Sequence, residues 1–469
     1  MSTELPAIAD LIDGEWGTPS VDLGVALEDP ATAAPVARAV ATATDRVERA
    51  LAVAETAAGR AETASGRVEP AVLDAIADAL ETRLAWIAEL DARATGVPLA
   101  QTTLLGPIVS GSFRLAAEQI RSGVLRQERD GVEVLRLPLG PALCLVPWNA
   151  PAPMAAHKVA NSLAAGCPVI LKVSELAPYS SVVLAEVIAE HVPAGMFQLV
   201  QGGAKVGAQL VAASRIKAIS FTGGLAGGRS VATASAAMLR PCQLELGGNN
   251  PLVVLPDADP DAATRMAAEL LTTLNGQWCR ALGRLILPAD RADELLDGIG
   301  KRLAALRVGP PMDPRTELGP LVHSKHVQQL RSSLDARGTR SFGAVPEDGN
   351  YFAPTLLDGD LSDEVFGPVA GVATYRRTEE AVALANAVPY GLEGYVCGVD
   401  EHQALGVARQ IRAGEVKVNG SSIMSLHLMT PRPAWGLSGL GEEGTAETLR
   451  FFTGARVVGV EGRFALHTS

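Results

Sequence analysis

Apolar residues recur at helical spacing from Ala31 to about Ala117, in a stretch rich in Ala, Glu, Arg and Leu. Within it, residues 69–94 predict one long amphipathic helix that stops before Gly96-Val97-Pro98. Around Glu133-Val134-Leu135-Arg136-Leu137 the pattern turns to alternation, which predicts a half-exposed strand. Short β-rich runs then alternate with Ala-rich helices. Strands are expected at 142–146, 168–172, 198–201 and 218–221, with helices at 153–165, 178–191, 206–213 and 227–238. A second alternating block, 252–418, predicts strands at 252–255, 283–287, 371–374, 395–397 and 415–418. Residues 338–350 read as loop, and 455–460 as a terminal strand with nothing local to pair with.

Strand–helix–strand alternation at this spacing predicts parallel sheets covered by helices on both faces. The expected fold class is therefore α/β with two Rossmann-like domains. At 469 residues the chain is too long for one ordinary core. Its hydrophobic share of 48% and charged share of 20% suit a globular enzyme and exclude a disordered chain. A net charge of −12 argues against nucleic acid or an anionic membrane surface as partner. The apolar stretch 137–156 is broken by five prolines and by Trp148-Asn149, so it is not a membrane helix. The first residues, Met1-Ser2-Thr3-Glu4-Leu5-Pro6, lack a signal-peptide pattern. Five dispersed cysteines form no disulfide framework, and the expected compartment is the reducing cytoplasm. The seven histidines show no metal-ligand spacing, so no metal is expected; His323 and His326 read as a solvated pair.

The chemistry concentrates in Asn275-Gly276-Gln277-Trp278-Cys279, downstream of Glu245-Leu246-Gly247-Gly248-Asn249-Asn250-Pro251. A thiolate is the attacking form of cysteine, and Arg280 and Arg284 are expected to favour it at Cys279. A carboxylate such as Glu245 can take a proton from a thiol or from water. Taken without that context, Cys279 reads as a small buried hydrophobe, the fate of most free cysteines. Phe221-Thr222-Gly223-Gly224 is either a plain strand-to-helix turn or a helix N-terminus offering amides to a pyrophosphate. Lys172 and Glu175 are either a helix-start capping pair or ribose contacts.

Taken together and in order, these segments resemble the aldehyde dehydrogenase superfamily, of the hydrolytic type that does not acylate CoA. The resemblance also draws on Leu11-Ile12-Asp13-Gly14-Glu15-Trp16, Leu145-Val146-Pro147-Trp148-Asn149-Ala150-Pro151 and Lys172-Val173-Ser174-Glu175. It continues through Glu364-Val365-Phe366-Gly367-Pro368-Val369 and Ser438-Gly439-Leu440-Gly441-Glu442-Glu443-Gly444. It implies NAD-dependent oxidation of an aldehyde to its acid through a thiohemiacetal and a thioester on Cys279. In that scheme Asn149 binds the oxyanion, Glu245 activates water, and Lys158 and Glu443 carry a proton path.

The resemblance also implies a dinucleotide site of Val146, Pro147, Trp148, Lys172, Glu175, Gly207, Phe221, Thr222, Gly223, Gly224, Leu246, Glu364 and Phe366. Glu175 would repel a 2′-phosphate, which favours NAD over NADP. The implied aldehyde pocket holds Ala150, Met154, His157, Trp278 and Arg432. The implied organisation is an NAD-binding domain (1–118 and 138–247), a catalytic domain (248–437), and oligomerisation strands (119–137 and 450–469) that join a neighbouring subunit in a homodimer or homotetramer.

Several positions depart from the family pattern. Leu274 replaces an asparagine, Gly224 a serine, Gly436 a lysine and Glu442 an arginine. Ala150 and His157 replace aromatics, which implies a wider and more polar tunnel. Arg432 stands where an aromatic marks the tunnel mouth. It reads either as a solvated loop charge or as the seat for an aldehyde with a polar or anionic far end. The rival readings are a CoA-acylating enzyme, which tends to lack the Glu245 equivalent, and a non-catalytic protein that keeps the fold.

Overall fold

The computed structural model describes residues 4–61, 68–129, 131–334 and 338–460. Two mixed sheets, each parallel at its centre, organise it. In the first, the parallel strands run Phe197–Val200, Val169–Lys172, Ala142–Leu145, Ala218–Thr222, Cys242–Glu245 across the sheet. Numbered along the chain, that order is 3-2-1-4-5, so the winding reverses between Ala142–Leu145 and Ala218–Thr222. A crevice opens at the carboxyl ends of the strands at such a switch point. Antiparallel strands Asp10–Ile12 and Gly439–Leu440 flank this core.

Residues 246–249 lead directly from Glu245 into the second sheet. Its parallel strands are ordered Thr355–Asp358, Val369–Tyr375, Leu282–Pro288, Asn250–Val254, Glu393–Cys397 and Glu415–Val418. Because the link is short, the carboxyl edge of the first sheet faces the amino edge of the second. The central strands of both sheets are buried on both faces, which explains their nearly continuous apolar sequences.

Four expectations are corrected. Residues 69–94 form two helices, Pro70–Glu81 and Leu84–Thr95, broken at Thr82-Arg83. The first packs along the helix Gly106–Arg121 and the second against Tyr179–Ala189, so each half turns its own apolar stripe to a different partner. Gly96, at φ +79°, closes the second helix where the sequence places the stop. Thr339–Ser341 is an edge strand antiparallel to Thr355–Asp358, inside the stretch expected as loop.

The terminal strand Thr453–Val458 has a partner within its own chain, though far along it: it pairs antiparallel with Val132–Pro138, Arg456 opposite Leu135. With Arg126–Arg129 these make a three-stranded sheet on which Val457 and Val458 stay exposed. Residues 461–469 of the expected oligomerisation segment lie outside the described residues. The fourth correction concerns His323 and His326, which are half-buried. His326 packs edgewise on Trp148 and Phe366, at centroid distances of 5.6 Å between Trp148 and Phe366 and 6.2 Å from His326 to Phe366. Burial lowers His326 to about 4, a neutral ring near pH 7. Among the described residues, no helix is long and apolar enough to cross a membrane.

Candidate active site

One cavity of about 420 Å³ occupies the space between the two sheet edges. Its first wall comes from the switch point: Val146, Pro147, Trp148, Asn149 and Ala150 follow one strand, and Phe221, Thr222, Gly223 and Gly224 end another. Gly224 is the N-cap of the helix Leu225–Ala236, and a side chain there would meet open space. Thr222 Oγ1 is buried without a hydrogen-bond partner among the described residues. Amides at a helix N-terminus beside an unused hydroxyl fit a pyrophosphate. Lys172 and Ser174 line the same side. Lys172 lies 3.9 Å from Glu175, and burial outweighs that carboxylate in lowering its pKa.

The opposite wall is the turn that leads into Cys279. Leu274, Asn275 and Gly276 all take positive φ, at 50°, 59° and 72°. Non-glycine residues pay for that conformation, so the surroundings must hold it. Asn275 does so from a fully buried position. Its Nδ2 donates to the carbonyls of Gly96 and Pro320, each at 2.9 Å, and its Oδ1 accepts from the Gly319 amide at 2.8 Å. A Cβ on Gly276 would fall 2.3 Å from the Pro368 nitrogen, so only glycine lets the turn rest on Gly367-Pro368. The same contact brings Glu364 and Phe366 into the cavity.

Cys279 follows this turn, with Glu245 facing it from the end of the first sheet. Asn149 Nδ2 donates to the Gln277 carbonyl at 2.9 Å, which ties the switch-point loop to the nucleophile turn. One amide hydrogen of Asn149 remains for an oxyanion. Burial first, then the neighbouring Glu245, hold the Cys279 thiol well above its usual range, and Arg280 does not offset them. Burial and the charge of Glu443 likewise raise Glu245, whose Oε2 has no hydrogen-bond partner among the described residues. The pair therefore rests as a thiol beside a carboxyl that titrates high. Glu364, raised to about 7 by burial, accepts from the Gly248 amide at 3.1 Å.

The expected thiolate-favouring role of Arg284 is overturned. Arg284 is fully buried away from the cavity and pairs with Asp360 while donating to the carbonyls of Leu384 and Ala385. Arg280 does line the cavity, but it is committed to Glu393.

Behind Glu245, Lys158 Nζ meets Glu443 Oε1 at 2.6 Å and Ser220 Oγ at 2.8 Å, all buried. Burial alone would raise Glu443, but Lys158, His157 and Arg432 together outweigh it and the carboxyl falls to about 2. Arg432 Nη2 stands 3.8 Å from the other carboxylate oxygen and 3.3 Å from His157 Nε2.

A turn-mounted cysteine, a facing carboxylate, an oxyanion donor and a helix N-terminus now share one cavity, in the order of one known family. The aldehyde dehydrogenase family model matches residues 18–458. The chain belongs to the aldehyde dehydrogenase family. A relative named 3-succinoylsemialdehyde-pyridine dehydrogenase, from Pseudomonas sp, is 32% identical, covering 96% of this chain and 98% of that protein. Aminoaldehyde dehydrogenase 1, peroxisomal, of Malus domestica is 34% identical, covering 90% of each. Among solved structures, mutant aldehyde dehydrogenase C from Pseudomonas syringae, complexed with NAD+ and octanal, superposes with a TM-score of 0.91 at 28% identity. It covers all of both chains (100% of each).

Within this family fold, most of the expected site residues converge. Val146, Pro147, Trp148, Lys172, Phe221, Thr222, Gly223, Gly224, Leu246, Glu364 and Phe366 line the cavity, as do Asn149, Glu245, Cys279 and Glu443. Ala150, Met154, Trp278 and Arg432, expected at the aldehyde pocket, line the same cavity. Gly207 lies one turn into the helix Ala204–Ala212 and is not a lining residue; Glu175 stands one layer back, beside Gly203.

His157 departs from expectation. It is buried on the helix Pro151–Ala164, its Nε2 3.1 Å from Thr448 Oγ1, and burial lowers it to about 3. The tunnel's polarity therefore comes from Arg280, Ser425 and Arg432 instead, against apolar Leu105, Ile108, Leu274 and Ile423. Sequence reasoning missed Leu105, Ile108, Ile423 and Ser425. Their only signal was apolar periodicity or loop polarity, which marks no site.

Proposed function

We propose that the chain oxidises an aldehyde to its carboxylic acid, with NAD as hydride acceptor and Cys279 as nucleophile. The single observation that carries this is Glu245 facing the Cys279 thiol across a cavity that Asn149 also lines. Bound NAD supplies a hydride acceptor. The Gly223–Gly224 amides and Thr222 would hold its pyrophosphate, Lys172 and Glu175 its adenosine ribose, and Glu364 its nicotinamide ribose. The NAD+ in the solved relatives supports this use of the cavity.

The chain's own part follows from residue chemistry. Glu245 accepts the thiol proton as the Cys279 sulfur bonds to the aldehyde carbon, giving a tetrahedral oxyanion. Asn149 Nδ2 and the Cys279 backbone amide donate to that oxygen. Loss of hydride leaves a thioester on Cys279. Glu245, having passed its proton on, takes one from water, whose oxygen attacks the thioester and releases the acid and the thiol. Lys158 and Glu443, behind Glu245, offer the route for the proton.

The substrate class we propose is an aldehyde with an apolar body and a polar or anionic far end. Lys158 and Arg432 share the single carboxylate of Glu443, and neutral His157 adds no charge, so one positive charge near Arg432 is left over. The proposal extends to a cytoplasmic homodimer or homotetramer. Five free cysteines and the exposed edge of Thr453–Val458 support it. The test of the reaction is NADH formation from an aldehyde panel, with and without CoA. NADH and free acid without CoA support it; strict dependence on CoA would transfer the chain to the acylating type.

A further inference from the structure

Behind the nucleophile, four charged side chains are buried together at the amino edge of the second sheet. Arg280 follows Cys279 in sequence. Glu393 and Glu415 stand directly opposite each other at the starts of two paired parallel strands, and Lys417 lies two residues beyond Glu415. Their side chains are 11%, 0%, 6% and 4% exposed. Two carboxylates opposite one another on paired strands repel, and burial makes each costly without a counter-ion. Both cations answer both acids. Arg280 bonds Glu393 and stands 3.5 Å from Glu415; Lys417 Nζ lies 3.3 Å from Glu393 and 3.8 Å from Glu415. The set balances two against two.

Its outer bonds reach two different walls of the aldehyde pocket. Tyr395, between Glu393 and the strand's end, donates from its hydroxyl to the Arg280 carbonyl at 2.8 Å. On the other side, Lys417 Nζ donates to the Ser422 carbonyl at 3.0 Å, and the Leu426 amide donates to Glu415 Oε1 at 2.7 Å. Ile423 and Ser425, held between those anchors, line the cavity, while Leu426 and Leu428 beyond them are exposed.

We propose that Arg280, Glu393, Glu415 and Lys417 form a charge-balanced clamp that fixes segment 422–426 to the nucleophile's own turn. Glu415 and Lys417 are thereby positioning residues that set which aldehydes fit. The inference rests on the aldehyde-oxidation reading for the identity of the substrate only. Removing one charge has two consequences that a purely structural role does not share. A loop anchor is lost at Lys417→Met and loses its charge at Glu415→Gln, and the field at Cys279 changes in a direction fixed by the sign removed. Glu415→Gln leaves a net positive charge beside the thiol, Lys417→Met a net negative one.

The test compares Glu415→Gln, Lys417→Met and the conservative Lys417→Arg, each checked for folding by near-ultraviolet circular dichroism. Cys279 is alkylated with iodoacetate and with iodoacetamide, and the adduct is mapped by peptide mass. Relative to wild type, Glu415→Gln is expected to raise the iodoacetate-to-iodoacetamide rate ratio by roughly threefold to tenfold and Lys417→Met to lower it similarly. Chymotryptic cleavage within 422–429 should rise on the order of tenfold in Lys417→Met, which loses the bond to the Ser422 carbonyl, and less in Glu415→Gln, whose amide oxygen still accepts from Leu426; Lys417→Arg should keep both values. Folded variants whose ratios do not move in opposite senses, or a Lys417→Met variant whose loop cleavage is unchanged, overturn the clamp. A wild type inert toward every aldehyde would contradict the proposed reaction, with the alkylation ratios still deciding the clamp.

Discussion

Lys158 and Glu443 form a buried ion pair, Nζ to Oε1 at 2.6 Å, and Arg432 approaches the same carboxylate at 3.8 Å. Two cations thus depend on one acid inside the protein. Glu443→Gln is expected to lower stability by about 3–5 kcal/mol, because it strands buried positive charge. Denaturant unfolding checks this, and a loss below about 1 kcal/mol would mean water reaches the pair. The pH dependence has a definite sign. Glu443 falls to about 2 from an ordinary 4.5, so its contribution is present above 4.5 and fades as pH drops toward 2.

Arg432→Ala should remove the seat for a distal anion. For an anionic aldehyde and a neutral one of similar size, the ratio of kcat/KM values is expected to fall roughly tenfold to a hundredfold, the worth of a hydrogen bond to a charge. An unchanged ratio would return Arg432 to the status of a loop charge.

Gly276→Ala places a Cβ 2.3 Å from the Pro368 nitrogen at a φ of +72°, where the obstacle is backbone and cannot swing aside. The expected cost is about 2 kcal/mol or more, with a fall in turnover as the Cys279 turn lifts from Glu364-Val365-Phe366. A thermal melt and a kcat measurement together decide it; near-normal values in both would show that the turn tolerates another conformation.

Glu175 stands 3.9 Å from Lys172, and the proposed cofactor preference rests on it. NAD should be favoured over NADP, and Glu175→Ser should narrow the gap by roughly tenfold as the repulsion of a 2′-phosphate disappears. Values of kcat/KM for both cofactors in both proteins test it. A wild type preferring NADP would remove Glu175 from the ribose.

Much of this site was legible in the chain because it is built from short segments at strand ends. Residues 142–146 announced their strand by a continuous apolar run and 218–221 by one broken only at Ser220, and Trp148, Asn149 and Thr222 then had to fall at a carboxyl edge. Cys279 and Glu245 were legible from their motifs. What stayed hidden depends on the packing of distant pieces. The break at Thr82-Arg83 follows from two different partner helices, and the pairing of Thr453–Val458 with Val132–Pro138 spans most of the chain. His157 and Arg284 carry the right chemistry, but helix phase and strand face turn them from the cavity. The ion-pair partners of Arg280 are not legible beside it because Glu393, Glu415 and Lys417 lie more than a hundred residues away.

The central claim is that Glu245 resolves an acyl group held on Cys279. Because burial and Glu443 raise Glu245, acid release in single-turnover reactions should already weaken at a pH above its ordinary 4.5. The most direct measurement uses Glu245→Gln mixed with aldehyde and NAD, quenched in acid and mapped by peptide mass. Because Glu245 also takes the thiol proton, the account expects NADH to form slowly and to stop at no more than one per active site, with an acyl adduct on Cys279 and on no other cysteine. Steady turnover without the adduct, or an adduct on another residue, would contradict it.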